Sequence, residues 1–322
     1  MSGRIIGAVT SAAPIGGPAS PPVARRGLAA LTPSGRSVVP ASWAIYDFAN
    51  TIFSFAVVSG AIGLYLVNDN QFGERDGNAL LSIAVVISVG INALVSPILG
   101  AFSDRGPGRM PFLLFFTGLC IVATFFIADV SAILGVGLFI LANFAYQASL
   151  IYYDATLKTV SYPATRGKLS GIGTGIGYCG TVFVGLLIFF LDVPVVDRFR
   201  LSAILFLLFA IPIFLFVREP RIDDQPAITM TEIRDSFDQL RRSIQHAREV
   251  PGLIRFLVGR FFYSDAVNTV IVVMSVVVVK TMGMSEATAN VVLLLLTLVA
   301  IAMSFVSGWL CDRQCWCRGP SA

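Results

Sequence analysis

Eight stretches of apolar sequence between residues 43 and 310 are each long enough to cross a lipid bilayer. About 20 helical residues span a hydrocarbon core of roughly 30 Å, and a spanning backbone satisfies its polar groups only as helices or as a closed barrel. The stretches lack the alternating pattern of barrel strands, so we predict an all-α, polytopic membrane protein. The predicted helices cover residues 43–67, 79–103, 111–129, 131–156, 169–191, 199–217, 253–279 and 287–310.

The spacing of these helices predicts how the chain is organised. Only 13% of the residues are charged, against about 25% in a soluble domain. We expect a disordered cytoplasmic tail at residues 1–41, a six-helix bundle at 42–217 and a cytoplasmic linker with an amphipathic helix at 218–252. The first two helices of a second bundle follow at 253–310, before an aberrant tail at 311–322.

Most Lys and Arg residues outside the helices fall in loops that lie on one side of the membrane. The positive-inside rule therefore predicts a cytoplasmic N-terminus. We expect a multi-pass protein of the cell inner or plasma membrane, with a vacuolar or other organelle membrane as the alternative. The same rule explains the net charge of +4, so the charge gives no reason to expect a nucleic-acid partner.

Two polar signatures inside the apolar sequence recur in the same order in the second half. Residues 47–51 (DFANT) return as 265–269 (DAVNT), and residues 100–105 (GAFSDR) return as 308–313 (GWLCDR). A membrane protein built from two related halves usually carries its substrate site where the halves meet. The repeat therefore favours a transporter.

Ionisable groups inside the spans are the first candidates for function, because burying a charge in the membrane is costly. Asp47 and Asn50 are three residues apart and share one helix face, as do Asp265 and Asn268. These faces are candidate cavity linings, although each Asp lies close enough to a helix end to cap it instead.

The fourth predicted helix carries a polar stripe formed by Asn143, Gln147 and Asp154, with Leu150 between them. Such a stripe suits a water-filled substrate pathway. The alternative is that these residues form hydrogen bonds between helices that only hold the bundle together, each contributing about 0.6–2 kcal/mol.

Charged turns at the cytoplasmic ends of two helices form a candidate gate. Asp104, Arg105 and Arg109 lie in a tight turn after the second helix, and Asp312 and Arg313 repeat its start after the eighth. A carboxylate there can pair with Arg or with the positive N-terminal end of another helix, which would latch one conformation. Marking the membrane orientation needs Arg but no Asp, so the repeated Asp favours a latch.

The sequence gives little evidence for a metal, catalytic or nucleotide-binding site. Cys311, Cys315 and Cys317 lack a fourth metal ligand, and no metal or cofactor is expected. The chain shows no nucleophile with a plausible base and no nucleotide-binding loop, so we do not expect an enzyme. The glycine run from 171 to 185 is better explained by close helix packing than by ligand binding.

The segment from Gly100 to Arg109 resembles the cytoplasmic loop signature of the major facilitator superfamily. Residues 42–50 (SWAIYDFAN), 143–147 (NFAYQ), 165–171 (TRGKLSG) and 263–269 (YSDAVNT) resemble the branch of autophagy-related vacuolar amino-acid effluxers and their bacterial relatives. The resemblance covers about residues 42–313.

This resemblance implies two six-helix bundles that operate by alternating access, with helices 1, 4, 7 and 10 lining the cavity. It also implies that the Asp104 loop docks against helix 11 and the Asp312 loop against helix 5. The chain carries about eight of the twelve expected helices, so we expect a C-terminally truncated fragment, or a second chain that supplies the missing part.

The expected function is secondary active transport of a small solute, with amino acids as the substrate class implied by the resemblance and a proton as a candidate coupling ion. A channel or receptor is disfavoured by the two-half repeat. A non-transporting fragment or membrane scaffold of the same family is the alternative.

Overall fold

The computed structural model describes residues 27–68, 70–105, 108–219, 242, 245–246, 248–260, 262–263 and 286–317. At residues 101–105, 286–294 and 314–317 it describes the backbone alone. The prediction of an all-α membrane protein is confirmed: the described regular structure is helical, and six helices are long and apolar enough to cross a membrane.

We number the long helices in chain order, counting the helical residues 253–260 as α7. The others are α1 (Val38–Leu66), α2 (Gly73–Arg105), α3 (Met110–Phe126), α4 (Ala132–Val160), α5 (Arg166–Phe190), α6 (Val195–Phe216) and α8 (Glu286–Cys317). Within α1, Ser54–Ala61 forms a π-helical segment. Most of the seventh predicted helix, residues 253–279, lies outside the described residues.

The first six helices pack around α1. Helix α1 lies against α5 and α6, α3 joins α6 to α4, and α2 packs on the other side of α4. Large side chains such as Tyr46, Phe53, Phe139, Tyr152 and Phe206 are fully buried between these helices. Because lipid tails are as apolar as these side chains, their burial stabilises the bundle through close van der Waals packing between the helices.

The outer faces of the bundle are apolar as well. On α2, for example, Val86 is 70% and Leu94 is 75% exposed. A helix that is apolar on all sides suits a protein whose solvent is lipid. These exposed side chains therefore agree with a membrane-spanning bundle.

The structure corrects the expected start of the ordered chain. Gly27–Leu31 forms a short 3-10 helix, and α1 begins at Val38. Leu31 is only 5% exposed, and its carbonyl oxygen accepts hydrogen bonds from the loop between α4 and α5. An apolar anchor and a backbone contact thus order residues that we had assigned to a disordered tail at 1–41.

A second correction concerns the end of the described chain. We predicted that the last helix ends at residue 310, but α8 continues to Cys317. That residues 311–322 form an aberrant tail stays a prediction. The helix continues into polar sequence because its backbone hydrogen bonds do not depend on apolar side chains. Hydropathy therefore marked the end of the apolar segment and missed the end of the helix.

Candidate functional site

A cluster of aromatic and polar side chains fills the space between α1 and α4. The rings of Trp43 and Tyr153 stack with centroids 4.6 Å apart and planes 13° apart. The Tyr153 hydroxyl donates a hydrogen bond of 3.1 Å to the backbone oxygen of Trp43, and Trp43 Nε1 donates one of 3.2 Å to Thr156 Oγ1. These contacts fix the two helices relative to each other.

Tyr46 extends this cluster towards α3. Its ring centroid lies 5.0 Å from that of Tyr153, and its hydroxyl lies 2.5 Å from Thr117 Oγ1. Tyr46 is fully buried, and a buried phenol ordinarily needs a partner for its hydroxyl. The phenol thus ties α1, α3 and α4 together beside the first signature.

Two carboxylates border the cluster. Asp47 is half-buried on α1, Asp154 is exposed on α4, and the two interact electrostatically with each other and with the Tyr153 phenol. In the described part of the chain, neither carboxylate forms an ion pair with a Lys or Arg. Asp47 and Asp154 therefore place negative charge on one side of the α1–α4 cluster.

Asn50 is the most constrained polar group of this region. It is only 1% exposed, and neither Nδ2 nor Oδ1 has a hydrogen-bond partner among the described residues. A buried amide without partners costs about 1–3 kcal/mol. It lies one turn before the π-helical segment Ser54–Ala61, and π-helical turns are frequent at functional sites.

Asn143 and Gln147 lie at a different helix interface from the two carboxylates. Asn143 Nδ2 donates a 2.7 Å hydrogen bond to Ser88 Oγ on α2, and Gln147 Oε1 lies 3.4 Å from Asn92 Nδ2. The polar stripe of α4 is thus divided between the α2 interface and, at Asp154, the α1 side. The two amides make the interhelical hydrogen bonds that we considered as the alternative to a pathway, and their role in a cavity stays a prediction.

At the end of the bundle where α1 begins and α4 ends, Asp312 of α8 binds the first turn of α5. Its Oδ1 accepts a 2.8 Å hydrogen bond from the backbone N–H of Gly167, and its Oδ2 accepts one of 2.8 Å from that of Lys168. A carboxylate at a helix N-terminus is stabilised by the exposed amides and the helix dipole. This is the contact with helix 5 that the family resemblance implied.

Glycines let α8 and α1 approach α5 on two different faces. A Cβ atom at Gly171 would lie 2.9 Å from Cα of Gly308 on α8, and one at Gly177 would lie 2.7 Å from Oδ2 of Asp47 on α1. Gly171 meets backbone atoms and has no room for a side chain, whereas Gly177 meets the end of the Asp47 side chain, which can shift. The glycine run therefore provides close helix packing on both sides of α5, including direct contact with a candidate site residue.

The turn between α2 and α3 is held by a residue that our sequence reasoning missed. Glu219, just after α6, accepts hydrogen bonds from the backbone N–H groups of Arg109 and Met110, and the Arg109 guanidinium lies 3.6 Å from its carboxylate. Arg109 also approaches Thr159 of α4 at 3.5 Å. The Arg predicted for the gate thus joins α3, α4 and the end of α6.

The remaining predicted residues are located as follows. Asp104 and Arg105 lie in the last turn of α2, where only the backbone is described. The Arg313 guanidinium lies over the Trp309 ring at 4.1 Å from its centroid. Asp265 and Asn268 lie outside the described residues.

Comparison with known proteins identifies the family of the chain. The model of the family described as "Vacuole effluxer Atg22 like" matches residues 66–161 and 158–318, which together make up most of the sequence. The chain belongs to the Atg22-like family. The membership predicted from the sequence motifs is thereby confirmed.

This Atg22-like chain is similar to the "uncharacterized MFS-type transporter YxiO" of Bacillus subtilis (strain 168), with 25% identity over 292 residues. The match covers 84% of the chain and 67% of the relative, so the chain spans about two thirds of the relative's length.

The fold is similar to that of the proton:xylose symporter XylE bound to 6-bromo-6-deoxy-D-glucose, with a TM-score of 0.56 and 16% identity. The match covers 84% of the chain and 67% of the symporter. At this identity the likeness concerns the fold alone, and it agrees with the major facilitator architecture. Family and fold together assign the chain to the secondary transporters, which are carriers and not enzymes.

Proposed function

We propose that this chain transports amino acids by alternating access and that the α1–α4 cluster contributes to their binding site. The observations that carry the proposal are the unpaired amide of Asn50, which lies one turn from Asp47 on α1, and the neighbouring carboxylates of Asp47 and Asp154, which lack a described counter-ion. An amino acid carries an ammonium and a carboxylate. Asp47 and Asp154 supply negative charge for the ammonium, while the Asn50 amide can donate to the carboxylate and accept from the ammonium.

A coupling proton fits the same arrangement. Two neighbouring carboxylates without a counter-ion repel each other, and a proton bound by either Asp47 or Asp154 relieves that repulsion. Arrival of a substrate ammonium relieves it too, so the proton and the substrate compete for the same charge. Exchange of a proton for a substrate cation follows as the proposed coupling.

The contact between Asp312 and the start of α5 is proposed as the cytoplasmic gate of this carrier. It joins the eighth helix to the first bundle at the end where α1 begins and α4 ends. Alternating access requires this contact to break when the cytoplasmic side opens. Asp104, Arg105, Arg109 and Arg313 are proposed to form the rest of the gate.

The proposed location is the cell inner or plasma membrane, with the N-terminus and the gate on the cytoplasmic side. Lys158 at the end of α4 and Lys168 at the start of α5 lie at this end of the bundle, as the positive-inside rule requires. Labelling of single Lys-to-Cys variants at these positions with an impermeant reagent, in intact cells and in inverted vesicles, tests this orientation.

The deciding experiment is transport in proteoliposomes. A mixture of labelled amino acids is supplied with and without an imposed pH gradient, to the wild-type chain and to the variants Asp47→Asn, Asp154→Asn and Asn50→Leu. We expect saturable, gradient-sensitive flux in the wild type and a loss of about tenfold or more in the variants, because hydrogen bonds to charged groups contribute about 1.5–3 kcal/mol.

Asp76→Asn is the matched control, because Asp76 is an exposed carboxylate in the first turn of α2, away from the cluster. Its flux should equal that of the wild type. Absence of flux from a wild-type chain that is shown to be inserted would refute the transport proposal and favour a membrane scaffold. Flux that is unchanged in all three cluster variants would refute the assignment of the site.

A further inference from the structure

Thr165 occupies the N-cap position of α5 but does not cap its own helix. A Thr at this position usually accepts a hydrogen bond from the second or third backbone N–H of the helix. The Thr165 side chain makes no such bond. Its hydroxyl instead lies 2.9 Å from the backbone oxygen of Leu31 and 3.2 Å from that of Tyr162, both of which are acceptors.

The Leu31 carbonyl is held in place by the short 3-10 helix Gly27–Leu31, which we call the strap. The Leu31 side chain is 5% exposed and belongs to the main core, and Leu28 packs against that core. The Leu31 oxygen also accepts a 3.3 Å hydrogen bond from the backbone N–H of Tyr162. The strap thus presents a fixed acceptor to the loop that leads into α5.

The amides that Thr165 leaves open are those that Asp312 binds. With Thr165 at the N-cap, Gly167 and Lys168 are the second and third residues of α5, and their N–H groups donate to the two oxygens of Asp312 at 2.8 Å. A side chain from the other half therefore supplies the cap that Thr165 would ordinarily supply. Both groups cannot bind these amides with good geometry at the same time.

We propose that Thr165 is a positioning residue for the cytoplasmic contact, and that the strap keeps the Thr165 hydroxyl turned away so that the α5 amides stay open for Asp312. Release of the strap removes the Leu31 acceptor. The Thr165 side chain then rotates about χ1 and caps Gly167 or Lys168 in competition with Asp312. The segment before α1 thereby sets how readily α8 docks on α5.

This inference goes beyond the proposed function, and only its consequence for transport depends on the proposed gate. Docking can be measured without transport through Cys311, which lies next to Asp312 and close to Gly167, where an added Cβ would be 3.1 Å from that of Cys311. The assay is the rate at which a membrane-impermeant maleimide labels Cys311 in inverted vesicles. The other four cysteines are replaced by Ser, and Asp312→Asn provides the rate of the undocked state.

The test is a double-mutant cycle between Leu31 and Thr165. Leu31→Ala loosens the strap and should raise the labelling rate about fivefold, since a competing N-cap is worth about 1 kcal/mol. Adding Thr165→Val removes the competing hydroxyl, so the double variant should return to the wild-type rate. Adding Thr165→Ser keeps a hydroxyl, so that double variant should label like Leu31→Ala.

In Thr165→Val alone, the labelling rate of Cys311 should stay within about twofold of the wild-type rate, because the strap is still anchored by Leu31. A purely structural role for Thr165 predicts the opposite pattern, in which Thr165→Val adds to the effect of Leu31→Ala. That additive result, or an unchanged rate in Leu31→Ala, would overturn the proposal. Leu31→Val is a smaller change that serves the same cycle if Leu31→Ala is not inserted.

Discussion

Replacing Gly171 by Ala should weaken the docking of α8 on α5. A methyl carbon at this position would overlap the backbone oxygen of Ser304 and lie 2.9 Å from Cα of Gly308, whereas ordinary contact begins at 3.4 Å. Backbone atoms cannot rotate away as a side chain can, so α8 has to withdraw by about 0.5 Å or more. Overpacking of this kind costs about 1–3 kcal/mol, which corresponds to a change of about 5- to 150-fold in the docking equilibrium.

Helix propensity does not offset this cost. Ala is favoured over Gly by about 1 kcal/mol in a helix interior, but α5 is helical whether or not α8 is docked, so the gain cancels from the docking equilibrium. Gly118→Ala in α3 is the matched control, because a Cβ there meets nothing within 4 Å. Gly118→Ala should leave docking unchanged.

The assay is the rate of Cys311 labelling described above, compared for Gly171→Ala, Gly118→Ala and Asp312→Asn. We expect Gly171→Ala to approach the rate of Asp312→Asn, while Gly118→Ala matches the wild type. Equal rates for Gly171→Ala and Gly118→Ala would refute the reasoning, because the close approach of the α5 and α8 backbones would then not limit docking.

Three further predictions concern contacts inside the first bundle, each measured as thermal stability in detergent. Glu219→Gln should lower the free energy of unfolding by about 1–2 kcal/mol, because the side chain is 11% exposed and binds two backbone amides and a guanidinium; an unchanged transition would contradict that role. Asn143→Leu should lower the free energy of unfolding by about 0.6–2 kcal/mol, because it removes the hydrogen bond to Ser88. Adding Ser88→Ala should recover part of this loss, whereas additive losses from the two substitutions would contradict the pairing. Tyr153→Phe keeps the ring stacked on Trp43 but removes the hydrogen bond of the hydroxyl, so we expect the free energy of unfolding to fall by about 1 kcal/mol. A fall as large as that of Tyr153→Ala would show that the hydroxyl, not the ring, carries the contact.

Hydropathy predicted the six described helices that are long and apolar enough to span a membrane, because the length of an apolar stretch is a direct physical requirement of the bilayer. It predicted the helix ends less well. Helix α2 begins at Gly73, six residues before the predicted 79, and its first turn contains Glu74 and Asp76. Acidic residues suit the first turn of a helix but lower the local hydropathy, so a search for apolar sequence passes over them.

The candidate site was predicted in part. Asp312 was found because its signature repeats an earlier one and the family resemblance suggested its partner. Glu219 and Thr165 were missed, since their partners are 110 and 134 residues away in the sequence and include backbone N–H and C=O groups. Every residue carries such groups, so no pattern of side chains reveals which of them will be used.

The two glycine faces of α5 restrict how this helix can move. One face meets the backbone of α8 at Gly171 and the other meets the backbone of α1 at Gly180, where an added Cβ would lie 2.5 Å from the Phe48 oxygen, so both have room only for a hydrogen atom. Rotating α5 by one residue, about 100°, would bring Ile172 into the first space or Cys179 into the second. The helix is therefore locked against rotation about its axis, and the motion left to it is tilting or sliding along its two neighbours.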